Sequence, residues 1–271
     1  MRAFGSFLVA GLFCLALTGA GAGGPPRVPE PRAVARCQGC WLPEPRESWQ
    51  LQLQGAVDLS VRASVYEVDG ADASAGLVSR LHRGGRHAIC YFNAGAWESW
   101  RKDSSAFPPS LLGAPLLGWP GERWLDIRRL KQLAPVMRAR LEQCRAKGFD
   151  AVDPDNVDAY ANDTGFALTY SDQLRYNRWL AGAAHRLGLS VALKNDLDQV
   201  GDLAGDFDFA VTEQCFEYRE CERLQPFVRA GKAVFEVEYS LPTAAFCPQA
   251  RKLGFSSVRK RLALGVYRQS C

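Results

Sequence analysis

The chain has 271 residues, 47% of them hydrophobic, which is enough apolar material for one large core. Its 33 basic and 29 acidic residues leave a formal charge of +4 and are interspersed, which excludes the long basic runs of a nucleic-acid or membrane-surface binder. Only three histidines are present.

Residues 1–22 read as a secretory signal peptide: Arg2 supplies the basic start, an apolar run follows from about Phe7 to Leu17, and small residues close it. That run is shorter than the ~20 residues a spanning helix needs, and no later stretch is long and apolar enough. The expectation is a secreted, extracellular chain with no integral membrane segment after signal removal. "GAGAGG" (19–24) matches a dinucleotide-binding spacing, but Pro25 and Pro26 follow it and no strand-turn-helix fits there. Residues 23–48, rich in Pro and Arg without a period, read as a linker or ordered arm.

Nine cysteines are present, and eight remain once Cys14 leaves with the signal, an even set that favours disulfides in an exported chain. Cys215 with Cys221, close in sequence, and Cys247 with Cys271, tying down the C-terminus, are the expected pairs. "CQGC" (Cys37 to Cys40) lacks the second half of a zinc site and reads as structural.

From Trp49 onward short apolar strand patterns alternate with helical ones. The strands are expected at 49–53, 63–69, 86–95, 149–155, 190–196, 208–214, 232–238 and 255–261. Several of the intervening helical segments end in a Gly just before the next strand, as C-terminal caps do. About eight βα units with right-handed crossovers predict a single-domain α/β fold over 49–271, a (β/α)8 TIM-like barrel, with a doubly wound sheet as the alternative. The stretch between Gly95 and Ile127 breaks the rhythm and carries Trp97, Trp100, Trp119 and Trp124. Loops of such length are usually functional, and tryptophans near strand ends suit stacking on a sugar face, so Trp97 and Trp124 are candidate substrate contacts.

In barrels of this kind the chemistry sits at the C-terminal strand ends. Here they read "YEVD", "YFNAG", "DPDN", "LKND", "TEQC" and "EVEY", each with a carboxylate, amide or phenol. Period-two geometry puts Ala151, Asp153 and Asp155 on one face, with Asp155 at the mouth. Glu213 stands at a corresponding height two strands on. A carboxylate pair on non-adjacent strands is what glycosidic hydrolysis needs, with Lys194 and Asn195 between them to keep one ionised. Tyr91, Asn93, Asp153, Asp196, Glu236 and Glu238 complete the expected substrate-binding set. A histidine metal site or catalytic triad lacks parts, and no Walker or G-x-S-x-G motif exists. An all-carboxylate Mg²⁺ or Ca²⁺ site through Asp153, Asp155 and Asp158 is the alternative to a reading without metal or cofactor.

"CYFNAGAWESWR", "WPGERWLDIR", "GFDAVDPDNVDAY", "DQLRYNRWLAGAAHRLGLSVALKND", "FAVTEQCFEY" and "AGKAVFEVEY" together resemble glycoside hydrolase family 114, of the endo-α-1,4-polygalactosaminidase type, from about Trp49 to Lys260. The resemblance implies a TIM-like barrel that cleaves α-1,4-linked galactosamine-containing polysaccharide with an Asp and a Glu. Carried onto this sequence these fall at Asp155 in "DPDN", as nucleophile, and Glu213 in "TEQC", as general acid/base. Asp155 is chosen over Asp153 because it stands at the strand's very end. The expected partner is thus a cationic galactosamine polymer, drawn to a mouth lined by Asp69, Asp153, Asp155, Asp196, Glu213, Glu236 and Glu238. The alternatives are a non-catalytic carbohydrate-binding barrel and a hydrolase of another α-linked sugar, such as an α-galactoside.

Overall fold

The computed structural model describes residues 37–271. In chain order the regular elements are β1 (Trp49–Gln52), β2 (Val65–Asp69), α1 (Ala75–Arg83), β3 (His87–Asn93), β4 (Ala96–Glu98), β5 (Leu112–Pro115), β6 (Glu122–Leu125), α2 (Leu130–Ala146) and β7 (Ala151–Asp155). They continue with α3 (Tyr170–Arg186), β8 (Ser190–Lys194), α4 (Val200–Leu203), β9 (Phe209–Glu213), α5 (Gln225–Arg229), β10 (Val234–Glu238), α6 (Thr243–Leu253), β11 (Ser256–Arg259) and β12 (Gln269–Ser270). The main sheet runs β1-β2-β3-β7-β8-β9-β10-β11-β12, parallel throughout except for the last pair. Its eight parallel strands fall within the eight segments expected from alternation, trimmed at their ends. The sheet curls into a TIM-like barrel. Its first and last parallel strands meet where the Trp49 indole N–H donates to the Ser256 carbonyl at 2.8 Å.

The pleat sorts the apolar residues into two cores. Trp49, Leu51, Val65, Ile89, Ala151, Phe209, Val211, Phe235 and Val237 fill the barrel, while Tyr66, Val68, Cys90, Val152, Leu193 and Ala210 pack outward against the helices. Ordinary end signals set the helices: the Ser74 hydroxyl caps α1 by accepting from the Leu77 N–H, and Thr169 and Asp172 form a capping box on α3.

Disulfides Cys215–Cys221 and Cys247–Cys271 are present as expected. Cys37–Cys40 pair with each other, and Cys90–Cys144 staple β3 to α2. The expected signal peptide lies outside the described residues. Of the expected arm, residues 37–48 lie against the barrel, with Trp41 stacked on His87 at 4.3 Å.

The long excursion after Gly95 is more than a loop. It holds a three-stranded antiparallel sheet, β4-β6-β5, whose strands of three or four residues are too short to display a period. Helix α2 ties it down: Arg140 bonds the Asp103 carboxylate at 2.7 Å and the Asn93 carbonyl at 2.5 Å. Among the described residues no helix is long and apolar enough to cross a membrane.

Candidate active site

Three neighbouring strand ends make the site, and each stops the same way. The residue after Asp155 is Asn156 (φ 58°), after Lys194 is Asn195 (φ 48°), and after Glu213 is Gln214 (φ 59°). A non-glycine residue in the left-handed region is costly, so three in a row mark strand ends held by their surroundings. The break turns the chain away while the last strand side chain stays aimed into the mouth.

Lys194 is the centre. Its Nζ lies 2.9 Å from Asp155 Oδ1, 3.2 Å from Glu213 Oε1 and 4.0 Å from Asp153 Oδ2. Burial alone would lower its pKa, but the charges of Asp155, Glu213 and Asp153 reverse this and hold the ammonium well above the usual lysine value. Asp155 also accepts from the Tyr91 hydroxyl at 2.7 Å and the Asn156 N–H at 2.8 Å. Burial would raise Asp155, yet Lys194 and these donors outweigh it and keep the carboxyl below its ordinary range. Glu213 is tied by its backbone N–H to the Asn195 side-chain oxygen at 2.9 Å, and its charge, after burial, raises the pKa of the neighbouring Tyr239 phenol. The signal for Tyr239 was in "EVEY", where the final phenol continues the face of Phe235 and Val237.

Beneath this layer Asp153 is fully buried beside Glu67, a buried residue that sequence reasoning passed over inside "YEVD", and neither carboxyl has a hydrogen-bond partner. Burial, Asp155 and Glu213 push Asp153 up to about 7 against the pull of Lys194, and burial and Asp153 push Glu67 well up. Asp153 is therefore a support under Lys194 with no surface open to a substrate.

Other expected contacts move as well. Glu236 and Glu238 lie on the outer face of β10, because Phe235 and Val237 take the barrel side; both are fully buried toward the helix layer, and Glu238 accepts from the Phe216 and Glu217 N–H groups. Asn93 spends its amide on Glu122 and its oxygen on the Ala96 N–H. Trp97 packs against the outer core and donates to the Ser104 carbonyl. Asp69 is neutralised by a two-pronged Arg101 contact at 2.9 and 2.6 Å. The acidic mouth is consequently narrower than its strand ends spell, and the carboxylates that line its cleft are Asp155, Asp158, Asp196, Asp198, Glu213 and Glu220.

Two adjoining cavities form the cleft. One of about 290 Å³ is lined by Tyr160, Asp196, Glu213 and Tyr218; the other, of about 170 Å³, by Asp155, Lys194, Trp119 and Trp124; Asp158 and Asn195 belong to both. Trp124 thus faces the cleft, although it is 5% exposed, while Trp119, missed as a site residue, is 46% exposed. A larger cavity of about 780 Å³ at the start of α2 is lined by Arg128, Arg129, Lys131 and Arg138 and by no carboxylate, so it lacks acid/base chemistry. Among the described residues no group of His, Cys, Asp and Glu is arranged to hold a metal ion; Asp153 and Asp155 converge on Lys194 instead.

The family described as Glycoside-hydrolase family GH114 matches residues 30–271. Ega3 from Aspergillus fumigatus, solved in complex with galactosamine, superposes with a TM-score of 0.83 at 36% identity, covering 88% of this chain and 99% of that one. The glycoside hydrolase domain of PelA from Pseudomonas aeruginosa gives 0.65 at 14% identity, over 82% and 98% of the two chains. An α-galactosidase from Thermus thermophilus, solved with p-nitrophenyl α-D-galactopyranoside, gives 0.54 at 15% identity, over 80% and 58%. At those identities the last two share the fold alone. No curated protein matches the chain. Sequence match over nearly the whole barrel and a closely superposing relative agree with the strand-end chemistry: the chain belongs to glycoside-hydrolase family GH114 and is a glycoside hydrolase.

Proposed function

We propose that this protein is a secreted hydrolase of α-1,4-linked galactosamine polymer that works with retention, Asp155 serving as nucleophile and Glu213 as general acid/base. The observation that carries the reading is Lys194 set between the two carboxylates. Its distances to Asp155 Oδ1 and Glu213 Oε1 together cap the separation of those oxygens, and their sum falls short of the ~6.5 Å at which room for an inverting water begins.

In the first step the Asp155 carboxylate attacks the anomeric carbon while the proton of Glu213 goes to the departing glycosidic oxygen. A covalent glycosyl ester and a shortened polymer result. In the second step Glu213 takes a proton from water, whose oxygen attacks the same carbon and releases Asp155. No metal or cofactor enters these steps. Lys194, Tyr91 and the Asn156 N–H keep Asp155 ionised for attack. Galactosamine is the favoured sugar because Ega3, the 36% identical relative, was solved with it. Export is supported by four disulfides among the described residues, which persist in oxidising compartments.

The test is release of reducing ends from a de-N-acetylated α-1,4-galactosamine polymer. Asp155→Asn and Glu213→Gln are each expected to lower kcat at least ~10³-fold with unchanged circular dichroism. Wild-type binding without any reducing-end release would instead make this a carbohydrate-binding barrel.

A further inference from the structure

We propose that the cavity at the ends of β10 and β11 is a second sugar site, one that takes an acidic unit such as a uronate by its carboxylate. This rests on the hydrolase reading above for the neighbouring cleft and adds a place for a unit of the opposite charge. The cavity holds about 570 Å³ and is walled by Gln214, Tyr239, Arg259, Lys260, Arg261 and Tyr267. Tyr239 follows β10, Arg259 ends β11 and Gln214 follows β9, so the cavity opens on the catalytic rim of the barrel. Gln214 also lines the cleft cavity that holds Glu213, which makes the two sites neighbours across one side chain.

The charge here is the reverse of the cleft's. No Asp or Glu stands in the wall, and Arg259, Lys260 and Arg261 are in no ion pair among the described residues. Arg259 donates only its Nε, to the Tyr239 carbonyl at 3.4 Å, and keeps both terminal nitrogens free. The Arg261 guanidinium lies over the Tyr267 ring at 4.6 Å. Lys260 turns its Nζ inward to the Gly265 carbonyl at 2.8 Å and charges the wall from behind. Burial, with Arg268 added, pushes that ammonium down to about 8, and no carboxylate offsets it.

A wall of unmatched cations selects by sign. The ammonium of a galactosamine unit would face Arg259 and Arg261 and is turned away, whereas a carboxylate takes two parallel N–H bonds from one guanidinium. The volume is that of a small-molecule site and exceeds what an inorganic anion needs. Tyr239 and Tyr267 add phenols, apolar on the ring and polar at the tip, which suits a pyranose.

The experiment is calorimetric titration of the full chain with galacturonate, galactose and inorganic phosphate. Galacturonate should bind wild type about tenfold or more tighter than the other two, weaken as salt is raised, and still bind with galactosamine in excess. Arg259→Gln and, separately, Arg261→Gln should each weaken it about tenfold. Equal affinity for galactose, phosphate bound as tightly as galacturonate, displacement by galactosamine, or variants that bind as wild type does would each overturn the proposal. If Arg259→Gln does not fold, Arg261→Gln carries the same comparison, since the exposed Arg261 side chain makes no hydrogen bond or ion pair among the described residues. Reducing-end release from the galactosamine polymer is read in parallel. No release with galacturonate binding intact overturns the hydrolase reading and sustains this site; release without galacturonate binding does the reverse.

Discussion

Lys194 Nζ and Asp155 Oδ1 stand 2.9 Å apart on neighbouring strands, and the lysine side chain is only 4% exposed. A charge so placed does more than pair, because it decides which carboxyl of the cluster is ionised. Replacing it by methionine leaves burial as the dominant influence on Asp155, whose pKa must then rise. Lys194→Met should lower kcat/KM at least ~10²-fold and move the acid limb of its pH profile to higher pH. It should also destabilise the fold by about 3 kcal/mol at neutral pH, as expected for a buried ion cluster losing one partner. An unmoved acid limb would assign control of Asp155 elsewhere.

Retention has a direct readout. Proton NMR of a fresh digest should show the α-anomer of the new reducing end first, with β appearing only by mutarotation. If the β-anomer appears first, the short carboxylate spacing has been misread and a water must fit between them.

The buried acids make stability depend on pH with a definite sign. Asp153 and Glu122 at about 7 and Asp158 at about 6, each raised by burial first, bind more protons folded than unfolded at intermediate pH. Their contribution is complete below the unfolded value of about 4 and is lost as pH rises through the folded values. Asp155, held low by Lys194, works in the opposite sense, but its contribution is already present above pH about 4. Calorimetry should therefore find Tm about 5 °C or more lower at pH 8 than at pH 5 without ligand. A Tm that climbs over this interval would contradict the raised pKa values of Asp153, Glu122 and Asp158.

Gly95 lies where the chain leaves β3 and crosses the Asn156 peptide, and its own N–H bonds the Asp155 carbonyl at 3.0 Å. A β-carbon there would overlap the Asn156 carbonyl oxygen, which is backbone and has no easy way to yield. Gly95→Ala should displace the nucleophile's strand end and lower kcat about 10²-fold. If the variant keeps full activity, the crossing is looser than its geometry implies.

Trp119 offers an exposed ring on the Asp155 side of the cleft. Trp119→Ala should raise KM for a long polymer about tenfold with little change in kcat, through loss of sugar stacking and cation–π attraction to the amine. Equal KM values for the two proteins would place the polymer along another wall.

The sequence by itself determined the eight parallel strands and the fact that carboxylates collect at their C-terminal ends. Alternation with a period of two, helix patterns between and Gly caps are local and survive without neighbours. It also singled out Asp155, Glu213 and Lys194, since each is the last inward residue of its strand. Alternation does not say which of two alternating sets faces the barrel, and "VFEVE" shows the consequence. Its acids turn to the helix layer because Phe235 and Val237 fill the barrel. Likewise Asp153 and Asp155, two residues apart on one face, differ only in depth: the lower is fully buried beside Glu67 and its pKa is pushed up, and the upper is kept ionised by a lysine from the next strand. Which carboxylates are open, which are paired and which are left without a partner was settled by tertiary contacts, because burial and the distance to a charge are properties of assembled strands.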